Sequence, residues 1–365
     1  QQFLDAKRKG GAGNYRRTQR STTGRALKWL YEERDLETVE RATDADVAAW
    51  AHQLDKRVYD PDEQFSAGSA WTYHANLSAF FSWCMRQRLL SETPADTHRV
   101  LGDAMPDRPS RSASNQQFWT PEDRSRILRY VDERAHEAID DRGLNALTEV
   151  RDRAFVYTVA YTGVRTAEFL RDPDDARPGR QGLRWRAVDL DEWYFNVLGK
   201  SQQNEDVQLP AQVHSPLQQW RRVLRPTSAN WPVFPSLHTP SVYGQLRDEL
   251  TESEYDRVVD GDLSPFEACR EHDIAPPPLS KTGGRNLMKR LCSEEHVDIT
   301  PDGDHDYLTL HAARRGVGEA IYRANGHAAA QRALRHADPR TTSDMYSHIE
   351  ASKLAEQATD IFGNE

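Results

Sequence analysis

Residues 308–350 read LTLHAARRGVGEAIYRANGHAAAQRALRHADPRTTSDMYSHIE, and the rest of the chain is understood outward from them. His311 and Arg314 are three apart, so on a helix both leave the same face. Ala313, Val317, Ala320 and Ile321 are small and apolar and fit the inward face. Asn325-Gly326 predicts a helix stop. His336 follows after an apolar turn. Thr341 with Asp344 reads as a capping box opening a further helix, which places Tyr346 in an early turn. Arginine forks match phosphate oxygens, and a tyrosine hydroxyl can attack phosphorus and hold a covalent intermediate. The residue types therefore point to work on a phosphodiester.

On these residues the stretch resembles the C-terminal signature of the tyrosine recombinase (phage integrase) family: H-x-x-R, then L-x-H, T-T and the nucleophilic tyrosine. His311, Arg314, Leu334-Arg335-His336, Thr341-Thr342 and Tyr346 match it. Tyr346 follows His336 by ten positions, one more than the family's usual nine. Upstream, Thr162-Gly163-Val164-Arg165-Thr166-Ala167-Glu168-Phe169 resembles the family's first arginine motif. It makes Arg165 the first catalytic arginine and Glu168 its acidic companion.

Between these motifs the period changes. Trp185, Ala187 and Val188, then Trp193, Phe195 and Val197, then Val207 and Leu209 predict short strands. Gly199-Lys200-Ser201 lies at a turn between two of them, where the family carries a catalytic lysine on a β-hairpin. Only eight of the 48 basic residues are lysine, and Lys200 is the sole one between Lys56 and Lys281. Keeping a lysine there is therefore informative.

A length of 365 residues suggests two domains. No stretch approaches the roughly 20 apolar residues of a membrane span. Cys84, Cys269 and Cys292 have neither metal spacing nor a disulfide framework, so a reducing cytoplasm is expected. The net charge of −9 is unusual for a DNA-binding chain. Much of it resides in residues 241–279, which carry ten acids against three arginines. A lysine-poor, acid-rich surface resembles that of proteins from high-salt cells, such as a halophilic archaeon or its virus. There phosphate affinity is weak, and shape and hydrogen bonds would count for more.

Taken in order, residues 1–20 hold Lys7, Arg8, Lys9, Arg16, Arg17 and Arg20 and read as a basic arm on the DNA backbone or as a solvated terminus. Leu27, Leu30 and Tyr31, then Val47, Trp50 and Leu54, then Trp71, Leu77, Phe81 and Trp83 recur at helical spacing. Thr43-Asp44-Ala45-Asp46 is a capping-box start. Residues 21–95 thus predict a helical domain that resembles the family's core-binding domain. Residues 96–116 have a linker's composition. Thr120-Pro121-Glu122 opens the next helix. Residues 241–279 are expected to be an acidic surface insertion, removable (roughly 243–277) without loss of cleavage. Ile349, Leu354, Ala358 and Ile361 form a weak apolar stripe for a last helix.

The expected fold is mainly α with a small β-hairpin or sheet: an N-terminal helical core-binding (SAM-like) domain and, over 117–365, an α+β tyrosine recombinase catalytic domain. The resemblance implies site-specific DNA recombination through a 3′-phosphotyrosyl intermediate, with Tyr346, Arg165, Arg314, His311, His336, Lys200 and Glu168 as the site. It implies double-stranded DNA as partner, a homotetramer on two synapsed sites, a monomer or dimer without DNA, a nucleoid-associated cytoplasmic location, and no cofactor or metal. Type IB topoisomerase-like nicking and resealing is the nearest alternative. A DNA-binding protein on an inactive fold is the alternative of another class.

Overall fold

A computed structural model describes residues 2–6, 13–108, 116–294, 305–347 and 349. It divides into two units, one of Gln1–Arg111 with Asp174–Ala176 and one of Ser112–Pro173 with Arg177–Glu365. The first unit consists of helices α1 (Gln2–Ala6), α2 (Gly13–Arg34), α3 (Asp44–Val58), α4 (Ala67–Arg86) and α5 (His98–Leu101). Thr43 caps α3 through Asp46 as its sequence predicts. Leu30, Trp50, Leu54, Leu77 and Phe81 fill the core, since each helix has an apolar stripe to bury.

Two expectations for this unit change. Lys7, Arg8 and Lys9 lie outside the described residues, whereas Arg16, Arg17 and Arg20 belong to the long helix α2. That helix is anchored by buried Gln19 and Thr22, both bonded to Asn76 of α4. Around the helix, Arg17, Arg20, Arg25 and Lys28 line a shallow surface hollow. The expected linker also begins later, because Val100, Ala104 and Met105 pack into the same core. These few apolar residues outweigh the Pro- and Asp-rich composition around them, since burying each is worth roughly 1–3 kcal/mol.

The second unit is organised around α7 (Leu147–Thr162), which is buried on most sides and packs against α6 (Pro121–Arg142), α9 (Ala211–Leu224) and α14 (Leu310–Leu334). Thr120 caps α6, with Pro121 at its first position. The short α8 (Thr166–Phe169) follows α7. Then come β1 (Val188–Asp189), β2 (Tyr194–Leu198) and β3 (Asn204–Gln208), an antiparallel sheet in sequential order. Leu198 pairs with Asn204, so Lys200 sits in the β2–β3 turn.

Residues 241–279 do not form an appendage. They build α10 (Thr239–Glu249), α11 (Glu252–Val259) and α12 (Pro265–Glu271). Val242, Leu246, Val258, Phe266 and Cys269 join the unit's main core. Ser236 N–H donates to the Pro277 carbonyl at 2.8 Å, and Leu279 N–H to the Phe234 carbonyl at 2.9 Å. Most of the acids face solvent, so the segment is amphipathic rather than detached. Deleting 243–277 is accordingly expected to unfold the unit. Phe266→Ala should cost about 3–5 kcal/mol in chemical denaturation, its side chain being only 6% exposed. A loss below about 1 kcal/mol would return the segment to the surface.

After α13 (Lys281–Glu294), α14 kinks at Gly326, where φ is 78° and ψ −178°, close to the stop its sequence predicts. A further helix, α15, covers 339–347. Its opening differs from the expected Thr341 cap. Asp338 accepts from Arg340 N–H at 2.9 Å ahead of Pro339, an Asp-then-Pro start that suits helix chemistry. Thr342 is buried instead. Ile349 packs with Tyr346, while Leu354, Ala358 and Ile361 lie outside the described residues.

Candidate active site

Helix α7 ends in the left-handed Gly163, with φ at 61°, and the chain turns so that Arg165 leads into α8. Glu168 accepts from Arg165 N–H at 2.8 Å and from Arg165 Nη1 at 2.8 Å. What reads as a surface i,i+3 pair is therefore held at the head of a helix, with Glu168 only 3% exposed. Arg165 Nη2 also donates to the Arg335 carbonyl at 2.9 Å.

Arg314 approaches from α14 and is buried. Its guanidinium donates to the carbonyls of Gly163 and Leu334. A guanidinium carries five N–H donors, so these two bonds orient it without exhausting it. Thus Gly163 both ends α7 and holds the second arginine beside the first. Burial, then the Arg165 cation, pushes Arg314 down to about 9; it stays a cation at neutral pH.

Both arginines line one open cleft of about 480 Å³, shared with Lys200, Ser201, Glu205, His311, Arg315, Arg335, His336 and Thr341. His336 Nδ1 bonds the buried Thr342 hydroxyl at 2.9 Å, which orients the ring and leaves Nε2 for a ligand. Five of the seven sequence-selected residues thus line one cleft, and a sixth, Glu168, lies directly behind them.

Tyr346 is the exception. It is fully buried, and its hydroxyl donates to the Arg315 carbonyl at 3.1 Å. Its ring packs among Phe118, Tyr322, Leu334 and Ile349, while its neighbour Met345 lines the cleft. Gly318 makes this seat possible, because a Cβ there would fall 1.9 Å from the Tyr346 hydroxyl. Burial first, then Glu319, raises the Tyr346 pKa, only partly opposed by Arg314 and Arg315. In this seat the tyrosine is a poor nucleophile.

His311 and His336 are both held down to about 4. For His311 the causes are desolvation in the cleft, then Arg315, Arg314 and Arg165; its exposure at the cleft mouth makes the cations the firmer cause. For His336 they are desolvation, then Arg314, Arg165, His311 and Lys200. A histidine depressed in the fold is neutral there when the unfolded chain already binds a proton. Stability is therefore full above about 6.5 and falls as the pH drops toward 4. An anion in the cleft reverses the bias, since it offsets the arginines and lets the histidines protonate. Affinity for inorganic sulfate should then rise several-fold between pH 7.5 and 5.5 at fixed ionic strength, read by calorimetry. The double variant His311→Gln/His336→Gln should lose that slope; retention of the slope would place the titration elsewhere.

Sequence reading missed Arg315, Arg335 and Glu205. The Arg314-Arg315 doublet was a legible signal for the first, whereas nothing local marks the others. Among the described residues, no cluster of His, Cys, Asp and Glu has a metal-binding arrangement, and no helix is long and apolar enough to cross a membrane.

No family model and no curated protein matches the chain. Solved structures do. XerH site-specific recombinase in a post-cleavage complex with palindromic difH substrate has a TM-score of 0.56 at 14% identity, over 94% of this chain and 80% of that one. The Tn1549 transposon integrase with a circular intermediate DNA scores 0.55 at 13% identity, over 96% and 98%. A lambda integrase dimer on a COC′ core site scores 0.54 at 13% identity, over 94% of each chain. The chain has the tyrosine recombinase fold. That fold spans both units, the helical first one included.

Proposed function

We propose that this protein is a site-specific DNA recombinase of the integrase type, cutting and rejoining strands through Tyr346. The observation that carries the reading is the convergence of Arg165, Lys200, His311, Arg314 and His336 on one cleft beside the helix that bears Tyr346. Arg165 and Arg314 would hold the non-bridging oxygens of the scissile phosphate and offset charge that grows in the transition state. Tyr346 Oη attacks phosphorus and its proton passes to His311 or His336. The bond to the 5′-oxygen breaks, and Lys200 gives that oxygen a proton. The products are a 3′-phosphotyrosyl link and a free 5′-hydroxyl. A 5′-hydroxyl from another strand reverses the steps, so no ATP is consumed.

Tyr346 must leave its apolar seat to react, and α15 is the element that would carry it. Two duplexes exchanging strands present four scissile phosphates. With one nucleophile per chain, four copies on two synapsed sites are needed. The basic face of α2, with Arg17, Arg20, Arg25 and Lys28, would meet the DNA backbone in the nucleoid. The acid-rich, lysine-poor composition fits work at high salt.

Covalent capture tests the reading. The protein is incubated with nicked duplexes of random sequence, denatured, and probed for DNA-linked protein. The captured DNA is sequenced to define the site, and two copies of that site are then offered in one plasmid. An adduct with recombinant product is expected. Relaxation without exchange would make it a nicking-resealing enzyme, and no adduct would leave an inactive fold.

A further inference from the structure

Arg335 lies between Leu334 and His336, at the left-handed C-cap of α14, with φ at 53° and ψ at 50°. Side chains disfavour that conformation and glycine accepts it freely. An arginine there suggests that its side chain is needed. The guanidinium spans two carboxylates: Glu168 Oε2 at 2.5 Å and Glu205 Oε2 at 3.3 Å. Glu168 is the partner of Arg165. Glu205 belongs to strand β3, and its Oε1 accepts from the Ser201 hydroxyl at 2.5 Å. Its carboxylate lies so close over Gly199 that a Cβ there would fall 2.1 Å from Oε1. A continuous series of polar contacts, Arg165–Glu168–Arg335–Glu205–Ser201, therefore joins the first arginine to Ser201, the neighbour of Lys200, and the Glu205 carboxylate also packs over Gly199 on its other side. The buried Arg180 ties the base of the same hairpin, donating to the carbonyls of Leu198, Gly199 and Ala167 at 2.6, 2.9 and 3.0 Å.

We propose that Arg335 is a positioning residue that latches the β2–β3 turn against Glu168 and so sets Lys200 over the scissile phosphate. The inference rests on the strand-cleavage reading of the cleft. Without the bridging cation, the Glu205 carboxylate faces that of Glu168 and the turn lifts. The arginine then acts through the lysine, and its loss should mimic loss of the proton donor.

The test uses the captured DNA site in two forms, with the bridging 5′-atom either oxygen or sulfur. A thiolate leaves without a proton, so only defects in proton delivery are relieved on sulfur. Arg335→Gly removes the side chain and eases the backbone, and a thermal melt checks that the variant folds. Cleavage of the oxygen substrate should fall about 100-fold, as misplaced catalytic groups do, and should recover to within a few-fold of wild type on sulfur. Arg335→Gly combined with Lys200→Ala should be no slower than Lys200→Ala alone, and Arg335→Lys should restore part of the rate. Should Arg335→Gly not fold, Glu205→Gln cuts the same latch from the hairpin side and should show the same sulfur rescue. Equal losses on both substrates, or no loss, would overturn the proposal. Absence of adduct with the wild-type protein on either substrate would instead overturn the strand-cleavage reading beneath it.

Discussion

Tyr346→Phe is expected to bind the captured DNA as the wild type does and to form no covalent adduct. The ring is fully buried, and its hydroxyl makes one bond, to the Arg315 carbonyl. Phenylalanine fills the same seat among Phe118, Tyr322 and Leu334, and losing one such bond costs about 0.5–1.5 kcal/mol of stability. Reactivity disappears because the attacking oxygen is gone, not because the cleft is altered. Adduct formation is read on a denaturing gel, and binding by anisotropy. If the variant still forms the adduct, the ten-residue spacing from His336 has misled the assignment. Tyr322, 3% exposed with its ring centroid 5.3 Å from that of Tyr346, is then the next nucleophile to test.

Lys200→Ala should slow cleavage of a normal phosphodiester by about 10²–10⁴-fold, the usual worth of general acid help. Lys200 is exposed at the hairpin turn, and its removal leaves the core untouched. An alkoxide leaves poorly unless a proton arrives as the bond breaks, whereas a thiolate does not need one. The variant should regain most of its rate on the 5′-bridging sulfur substrate. Arg314→Ala provides the contrast. It removes charge stabilisation and should stay slow on both substrates. It should also be less stable, since the Gly163 carbonyl loses its side-chain donor and that of Leu334 keeps only the 3.4 Å bond from Arg165 Nη2. Equal impairment of Lys200→Ala on both substrates would mean that the lysine only holds the phosphate. His311 would then be the first candidate for the acid.

Much of the fold was legible because its signals are local. Thr120-Pro121 and Thr43 with Asp46 mark helix starts by backbone chemistry that needs no tertiary context. Alternation and clustering of apolar residues around Phe195, Val197 and Val207 expose the hairpin. The misreadings share a cause, in that composition masked spacing. Ten acids hide the Val242–Leu246 and Phe266–Cys269 pairs, which lie four and three residues apart and bury α10 and α12. Val100 and Met105 are sparse among Pro and Asp, yet both are buried. At α15, Thr341 suggested the cap while Asp338-Pro339 supplied it.

By itself the sequence determined the list of candidate residues: two arginines, two histidines, one lysine on a turn, one acid a helical turn beyond the first arginine, and a tyrosine near the end. That list was legible through its resemblance to the tyrosine recombinase motifs, each of which lies within a few consecutive residues. Tertiary structure decided what those residues touch. Arg314 is seated on the Gly163 carbonyl, 151 positions away, and Arg335 reaches Glu168, 167 positions away. It also decided that Tyr346 lies against Gly318 in an apolar seat rather than in the cleft. Contacts across such separations arise from the packing of α7, α14 and the hairpin, and no spacing along the chain encodes them.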